Sequence, residues 1–192
     1  MRSRIILEHK NSFRKEKLTE KTLENRKIAK TRRQRGYNWE DAVVKRFNKL
    51  DSWKAFRLGS PSVALPDILC VNNVDSMIFT IEAKSGTGTS LTVPSDQIIR
   101  CMGWTNNFTV YKTRKVILAF KFLSKKRIGV GKYEKRELRE FYKIWNAKKD
   151  PIDIVCKYDG TTYALIQGEK KKLNLKDYPM PFKSKYQKII SK

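Results

Sequence analysis

Pro66-Asp67-Ile68-Leu69-Cys70-Val71-Asn72-Asn73-Val74-Asp75-Ser76-Met77-Ile78-Phe79-Thr80-Ile81-Glu82-Ala83-Lys84 is the stretch around which this chain is organised. Two apolar, β-branched runs separated by a polar turn at Asn72–Asp75 predict an antiparallel hairpin. Along the second run side chains alternate faces, so Glu82 and Lys84 share one face while Ile81 and Ala83 share the other. Pairing about the turn brings Asp67 near the level of Glu82 and Lys84. Two acids and a lysine then converge on one point.

The rest of the chain bounds what that point can do. Its 192 residues suffice for one domain with a core and an arm. Lysine and arginine outnumber acids 43 to 19, a net charge of +24 that calls for a polyanionic partner. Cys70, Cys101 and Cys156 are odd in number and widely spaced, which fits buried thiols of a reducing cytoplasm better than disulfides or paired metal ligands. The apolar run Ile5-Ile6-Leu7 is too short for a signal peptide, and no segment has the length of a membrane span. These features predict a soluble, intracellular, nucleoid-associated protein. His9 is the only histidine, so a histidine base, a zinc site and serine-hydrolase chemistry are all disfavoured.

Residues 1–35 form a basic block in which lysines and arginines far outnumber Glu8, Glu16, Glu20 and Glu24. Despite a weak helical stripe over 19–33, the block is expected to be a mobile arm that orders on nucleic acid. From Gly36 the pattern changes. Trp39, Val43, Phe47 and Leu50 mark an amphipathic helix, with Asn38 as its N-cap and Glu40 and Asp41 in its first turn. Local sequence leaves Glu40 equally readable as a capping acid or as a further member of the acidic set. Residues 53–58 read as a first strand, and Pro94 and Ser95 open a helix carrying Gln97. Residues 116–123 are a central strand. Leu138, Phe141, Tyr142 and Trp145 suggest a helix over 133–146, and Asp159-Gly160 the turn of a second hairpin between 152–158 and 161–166. The expected domains are therefore an arm, 1–35; a main domain, 36–168, with its core at about 36–123 plus the C-terminal helix and hairpin; and a basic tail, 169–192.

The residue types suggest a chemistry. Mg²⁺ takes oxygen ligands and is commonly held by one or two carboxylates plus substrate phosphate. Asp67, Glu82 and a backbone carbonyl near Ala83 supply such a set, with Mn²⁺ as a substitute ion. Lys84 beside it can orient water or neutralise developing charge. This combination suits phosphodiester hydrolysis. The alternative is structural: Asp67 caps a turn, and Glu82 and Lys84 are solvated neighbours. Candidate phosphate contacts are Arg32, Arg33, Arg35, Arg57, Lys125, Lys126 and Arg127.

Pro66-Asp67 followed by Glu82-Ala83-Lys84 resembles the signature of the PD-(D/E)-x-K nuclease superfamily and, within it, the archaeal Holliday junction resolvases. The likeness extends over about 35–123 and includes Gly36, Trp39-Glu40, the loop Arg57-Leu58-Gly59-Ser60, and Gln97 on the following helix. It implies a restriction-endonuclease-like α/β fold, a central mixed β-sheet flanked by helices. It also implies metal-binding or catalytic roles for Glu40, Asp67 and Glu82, and a catalytic role for Lys84. Ser60 is implied as a loop residue near the scissile phosphate, with Ser62 as its substitute, and Gln97 as a supporting active-site residue. The expected function is cleavage of four-way DNA junctions by a homodimer, since two matched incisions need two sites. A restriction-like or repair endonuclease acting on duplex DNA, and a non-catalytic DNA-binding protein, are the alternatives. An RNA-binding module stacking bases on Tyr37, Trp39 and Phe56 is a third.

Overall fold

The computed structural model describes residues 2–58, 64–146 and 150–183, with side chains from residue 22 onward. Two units divide the chain, Met1–Arg35 and Gly36–Lys192. Helix α1 spans Arg2–Phe47. The basic segment expected as a mobile arm thus has helical backbone, and Asn38 lies within a helix instead of capping one. Lys, Arg, Glu, Gln and Ala dominate 20–35, and their high helix propensities carry the helix through a segment with little apolar face. Within the first unit Leu23 and Ile28 are exposed, and Thr31 Oγ1 donates to the Lys27 carbonyl.

The second unit is built on a five-stranded mixed sheet ordered β1-β2-β3-β5-β8. These strands are β1 (Lys54–Arg57), β2 (Ile68–Asn72), β3 (Met77–Gly86), β5 (Thr113–Phe122) and β8 (Arg139–Trp145). Strands β2 and β3 form the expected hairpin, with Ile68 opposite Ile81 and Asn72 opposite Met77. Its turn is closed by Asn72, whose Oδ1 accepts the Asp75 amide at 2.9 Å. Strand β3 then pairs in parallel with β5 after a crossover through β4 (Ser90–Val93) and α2 (Ser95–Asn107). Both faces of β3 and β5 are covered, which explains their nearly continuous apolar runs.

On one face lie Trp39, Val43 and Phe47 of α1, packed with Ala55, Cys70, Phe79, Ile81, Ile117, Ala119 and Tyr142. On the other, Ile98 and Cys101 of α2 join Val116, Leu118, Phe120 and Phe141. A second sheet shares this core, ordered β11-β10-β9-β4, with β9 (Asp153–Lys157), β10 (Thr162–Ile166) and β11 (Glu169–Lys172). The β9–β10 turn uses Gly160 at φ +88°, as the Asp-Gly pair predicts. A ribbon, β6 (Lys125–Arg127) paired with β7 (Tyr133–Lys135), projects between β5 and β8 in sequence.

Two further expectations are corrected. The helix over 133–146 is instead β7 followed by β8, which runs antiparallel to β5 with Phe120 opposite Phe141. The spacing of Leu138, Phe141, Tyr142 and Trp145 mimics a helical stripe, but the aromatics Phe141, Tyr142 and Trp145 are buried on both faces of a strand. The segment from Glu169 is not simply a basic tail. Met180 and Phe182 enter the α1-side core, and Tyr178 donates its amide to the Tyr142 carbonyl at 2.7 Å. This contact and the Lys143–Asp177 bridge cover the free edge of β8. No helix among the described residues is long and apolar enough to cross a membrane.

Candidate active site

The hairpin delivers what its sequence promises. Strand alternation turns Phe79, Ile81 and Ala83 toward α1, and Thr80 and Glu82 toward α2, where Thr80 Oγ1 donates to the Cys101 carbonyl at 3.0 Å. Asp67 stands one residue before β2 and accepts the Ala83 amide on Oδ2 at 2.9 Å. This bond ties the carboxylate to the strand between Glu82 and Lys84. The Asp67 carbonyl in turn accepts the Leu58 amide at 2.9 Å, fixing the end of β1 to the same point.

Glu82 is fully buried, with Lys84 Nζ 2.7 Å from Oε1 and Arg100 Nη2 3.4 Å from Oε2. A carboxylate without solvent needs such partners to remain charged. Desolvation nevertheless dominates and, with the charge of Asp67 adding to it against Lys84 and Arg100, pushes the Glu82 carboxyl up to about 7. Glu40 is also buried and also reaches about 7, raised by burial first, then by Asp67, with Arg57 opposing and Glu82 and Asp41 contributing. Its Oε2 has no hydrogen bond, and Arg57 Nη1 lies 3.9 Å away. Glu40, Asp67 and Glu82 therefore share one electrostatic site, although Glu40 comes from the helix across the sheet. The same negative field reaches α2, where Glu82 and Asp67 add to burial in raising the Cys101 thiol.

Among the described residues, no three His, Cys, Asp or Glu side chains are gathered closely enough to hold a metal by themselves. The donor set still fits a hard divalent cation completed by substrate phosphate. It consists of carboxylate oxygens, it carries more negative charge than its burial favours, and the Glu40 oxygen is orphaned. Two ionised carboxylates with a cation between them would relieve the strain that raises both glutamates.

Other predicted residues fall as follows. Gln97 lies in the first turn of α2, and its Oε1 is buried without a hydrogen bond. Ser60 and Ser62 lie outside the described residues. Arg57 is engaged by Asp41 at 3.2 Å and stacks on Tyr37 at 4.8 Å. Arg32, Arg33, Lys125 and Arg127 are exposed, while Arg35 and Lys126 are partly covered. Of the aromatics considered as base platforms, Trp39 is core and Tyr37 lies under Arg57, whereas Phe56 is exposed. Sequence reasoning missed Arg100, the second cation on Glu82. It lies three residues after Gln97, one helical turn on the same face, and that spacing was available to find it.

No family model matches the chain, and no curated protein matches it. Among solved structures, it is similar to Hjc of Archaeoglobus fulgidus, a Holliday junction resolvase from an archaeal hyperthermophile. That match has 14% identity and a TM-score of 0.43, covering 65% of this chain and 84% of the other.

Proposed function

We propose that the chain is a metal-dependent DNA endonuclease that hydrolyses phosphodiester bonds at four-way junctions, working as a homodimer. One observation carries the nuclease reading: Asp67, Glu82 and Lys84 meet at the end of a buried hairpin, with Glu40 in electrostatic contact, on a chain of net charge +24. A structural role alone gives no reason to bury a carboxylate against a lysine beside two further acids, because such burial costs stability.

Asp67 and Glu82, with the Ala83 carbonyl, would hold Mg²⁺ or Mn²⁺, which when bound polarises the scissile phosphate and acidifies an attacking water. Lys84, 2.7 Å from Glu82 Oε1, would orient an attacking water or neutralise charge on the phosphate as it develops. Glu40, titrating near 7, can take up a proton at neutral pH. Arg100 offsets the charge of Glu82 from α2 and supplies a second cation at the site. The basic surface holds the backbone of the polyanion, which favours selection by shape over selection by sequence.

The deciding experiment incubates the protein with Mg²⁺ and a labelled mobile junction beside plain duplex. Preferred, paired incision of the junction is expected. Equal cutting of both substrates, or sequence-specific duplex cutting, would replace the junction reading with a restriction-like or repair endonuclease. Binding without cutting in Mg²⁺ or Mn²⁺ would leave a DNA-binding protein.

A further inference from the structure

The β6–β7 ribbon is the least expected feature near the candidate site. Its stem is basic: Lys125, Lys126 and Arg127 on one strand, Lys135 on the other, and Lys132 at the turn. The only acid within it, Glu134, is paired with Lys126 at 3.5 Å. Its tip, Ile128-Gly129-Val130-Gly131, is apolar and outward, with Ile128 59% and Val130 81% exposed. The turn is nonetheless ordered by its own bonds. Ile128 donates its amide to Lys132 at 3.1 Å, Arg127 Nε caps the Gly129 carbonyl at 3.3 Å, and Gly131 takes a φ of +68° that disfavours a side chain.

An isolated two-stranded ribbon is marginal in water. This one is fastened at its base and along β6 to the residues just beyond Lys84. Leu123 donates to the Gly86 carbonyl at 2.9 Å, Arg127 to Thr87 at 3.0 Å, and the Arg136 guanidinium to Gly88 at 3.0 Å. Arg136 is held further by stacking on Tyr158 at 4.5 Å. The ribbon therefore has a fixed relation to the end of β3 that carries Glu82 and Lys84. Among the described residues, this valine and isoleucine stand largely exposed on a short basic ribbon. A two-stranded ribbon fits a DNA groove, and apolar side chains wedged between base steps unstack and kink the duplex.

We infer that the β6–β7 ribbon is a DNA wedge: its lysines and arginine lie along phosphates while Ile128 and Val130 insert at a weakly stacked base step, such as a branch point. This deepens the nuclease reading by naming how a branched substrate would be distinguished beside the cutting site, and it rests on that reading for its purpose. Its partner is DNA with an interrupted stack, which matches both the charge of the stem and the apolarity of the tip.

The test reads binding and unstacking without cutting, so its outcome is separable from that of the nuclease proposal. The full chain is titrated in EDTA onto four-way junctions and matched duplexes carrying 2-aminopurine at the branch point or mid-helix. Fluorescence should rise at the branch point and much less in the duplex. The Ile128→Ser/Val130→Ser double variant should lose most of that rise while still binding duplex. Val130→Phe, a larger wedge, should increase it, which a merely structural turn residue would not do. Replacing Lys125, Lys126 and Arg127 with glutamine should weaken binding to both DNAs and reduce the slope of log affinity against log salt by about 0.9 per lost phosphate contact. An unchanged branch-point signal in the double-serine variant, or no signal in the wild type, overturns the wedge whether or not the protein cuts DNA.

Discussion

Glu82 is a carboxylate with no solvent, two cations and two acidic neighbours, and its behaviour decides the site. Asp67→Asn or Glu82→Gln is expected to abolish Mg²⁺-dependent cleavage, by at least about 100-fold in rate given what metal-centred charge stabilisation supplies. DNA binding by these variants should remain nearly intact in gel-shift titrations. If binding disappears with cleavage, the acids are structural. The raised carboxyls also set a pH dependence. For both glutamates the folded pKa, about 7, exceeds the ordinary value of 4.5, so their stabilising contribution is fully present below that lower value and is lost as pH rises through the upper one. In EDTA, unfolding free energy should fall between about pH 5 and 8, by on the order of 5 kcal/mol at most for the two groups together. Glu40→Gln should flatten part of that fall in urea titrations at several pH values. A variant with the same pH slope as the wild type would show that Glu40 does not titrate in this range.

At the scale of elements, α1 and β8 are joined by a polar network under the sheet. Arg46 Nη1 donates to Glu140 Oε2 at 2.6 Å and to the Tyr142 hydroxyl at 2.7 Å, while Lys121 stands 3.8 Å from Glu140 and over Trp39. Glu140 is fully buried, so removing its charge strands Arg46 in a poorly solvated setting. Glu140→Ala should cost about 3–5 kcal/mol, the usual range for breaking a buried pair. Denaturant unfolding checks this, and a loss below about 1 kcal/mol, typical of an exposed pair, would mean the network is solvated. The same elements show where sequence reading reached its limit. Alternation in 66–84 and the helical stripe at Trp39, Val43 and Phe47 were legible because one period fitted each. In 133–146 the aromatics satisfied two periods at once. Only their pairing with β5 decided between strand and helix, and a β-strand's partners are distant in sequence.

For the whole molecule, net charge governs association. DNA binding should weaken linearly on a log–log salt plot, with a slope near −0.9 per phosphate contact. A chain beginning at Gly36 should fold, since 36–192 forms a compact unit with its own core, and should bind DNA more weakly with a shallower salt slope. Differential scanning calorimetry and the same titrations test this. An unchanged salt slope would remove residues 1–35 from the interface. Paired incision also requires two sites, so analytical ultracentrifugation should find a dimer at cleavage concentrations.

By itself the sequence determined the β2–β3 hairpin, the α/β character and the convergence of Asp67, Glu82 and Lys84, because these follow from period, turn chemistry and near neighbours along the chain. It also carried the charge that points to a polyanion. Tertiary structure decided that Glu40, which local sequence left open, lies in the field of Asp67 and Glu82, and it alone decided that Met180 and Phe182 complete a core from the far end of the chain. Those relations join residues on separate elements. Their energies come from burial and from charges meeting across space, which no local pattern encodes.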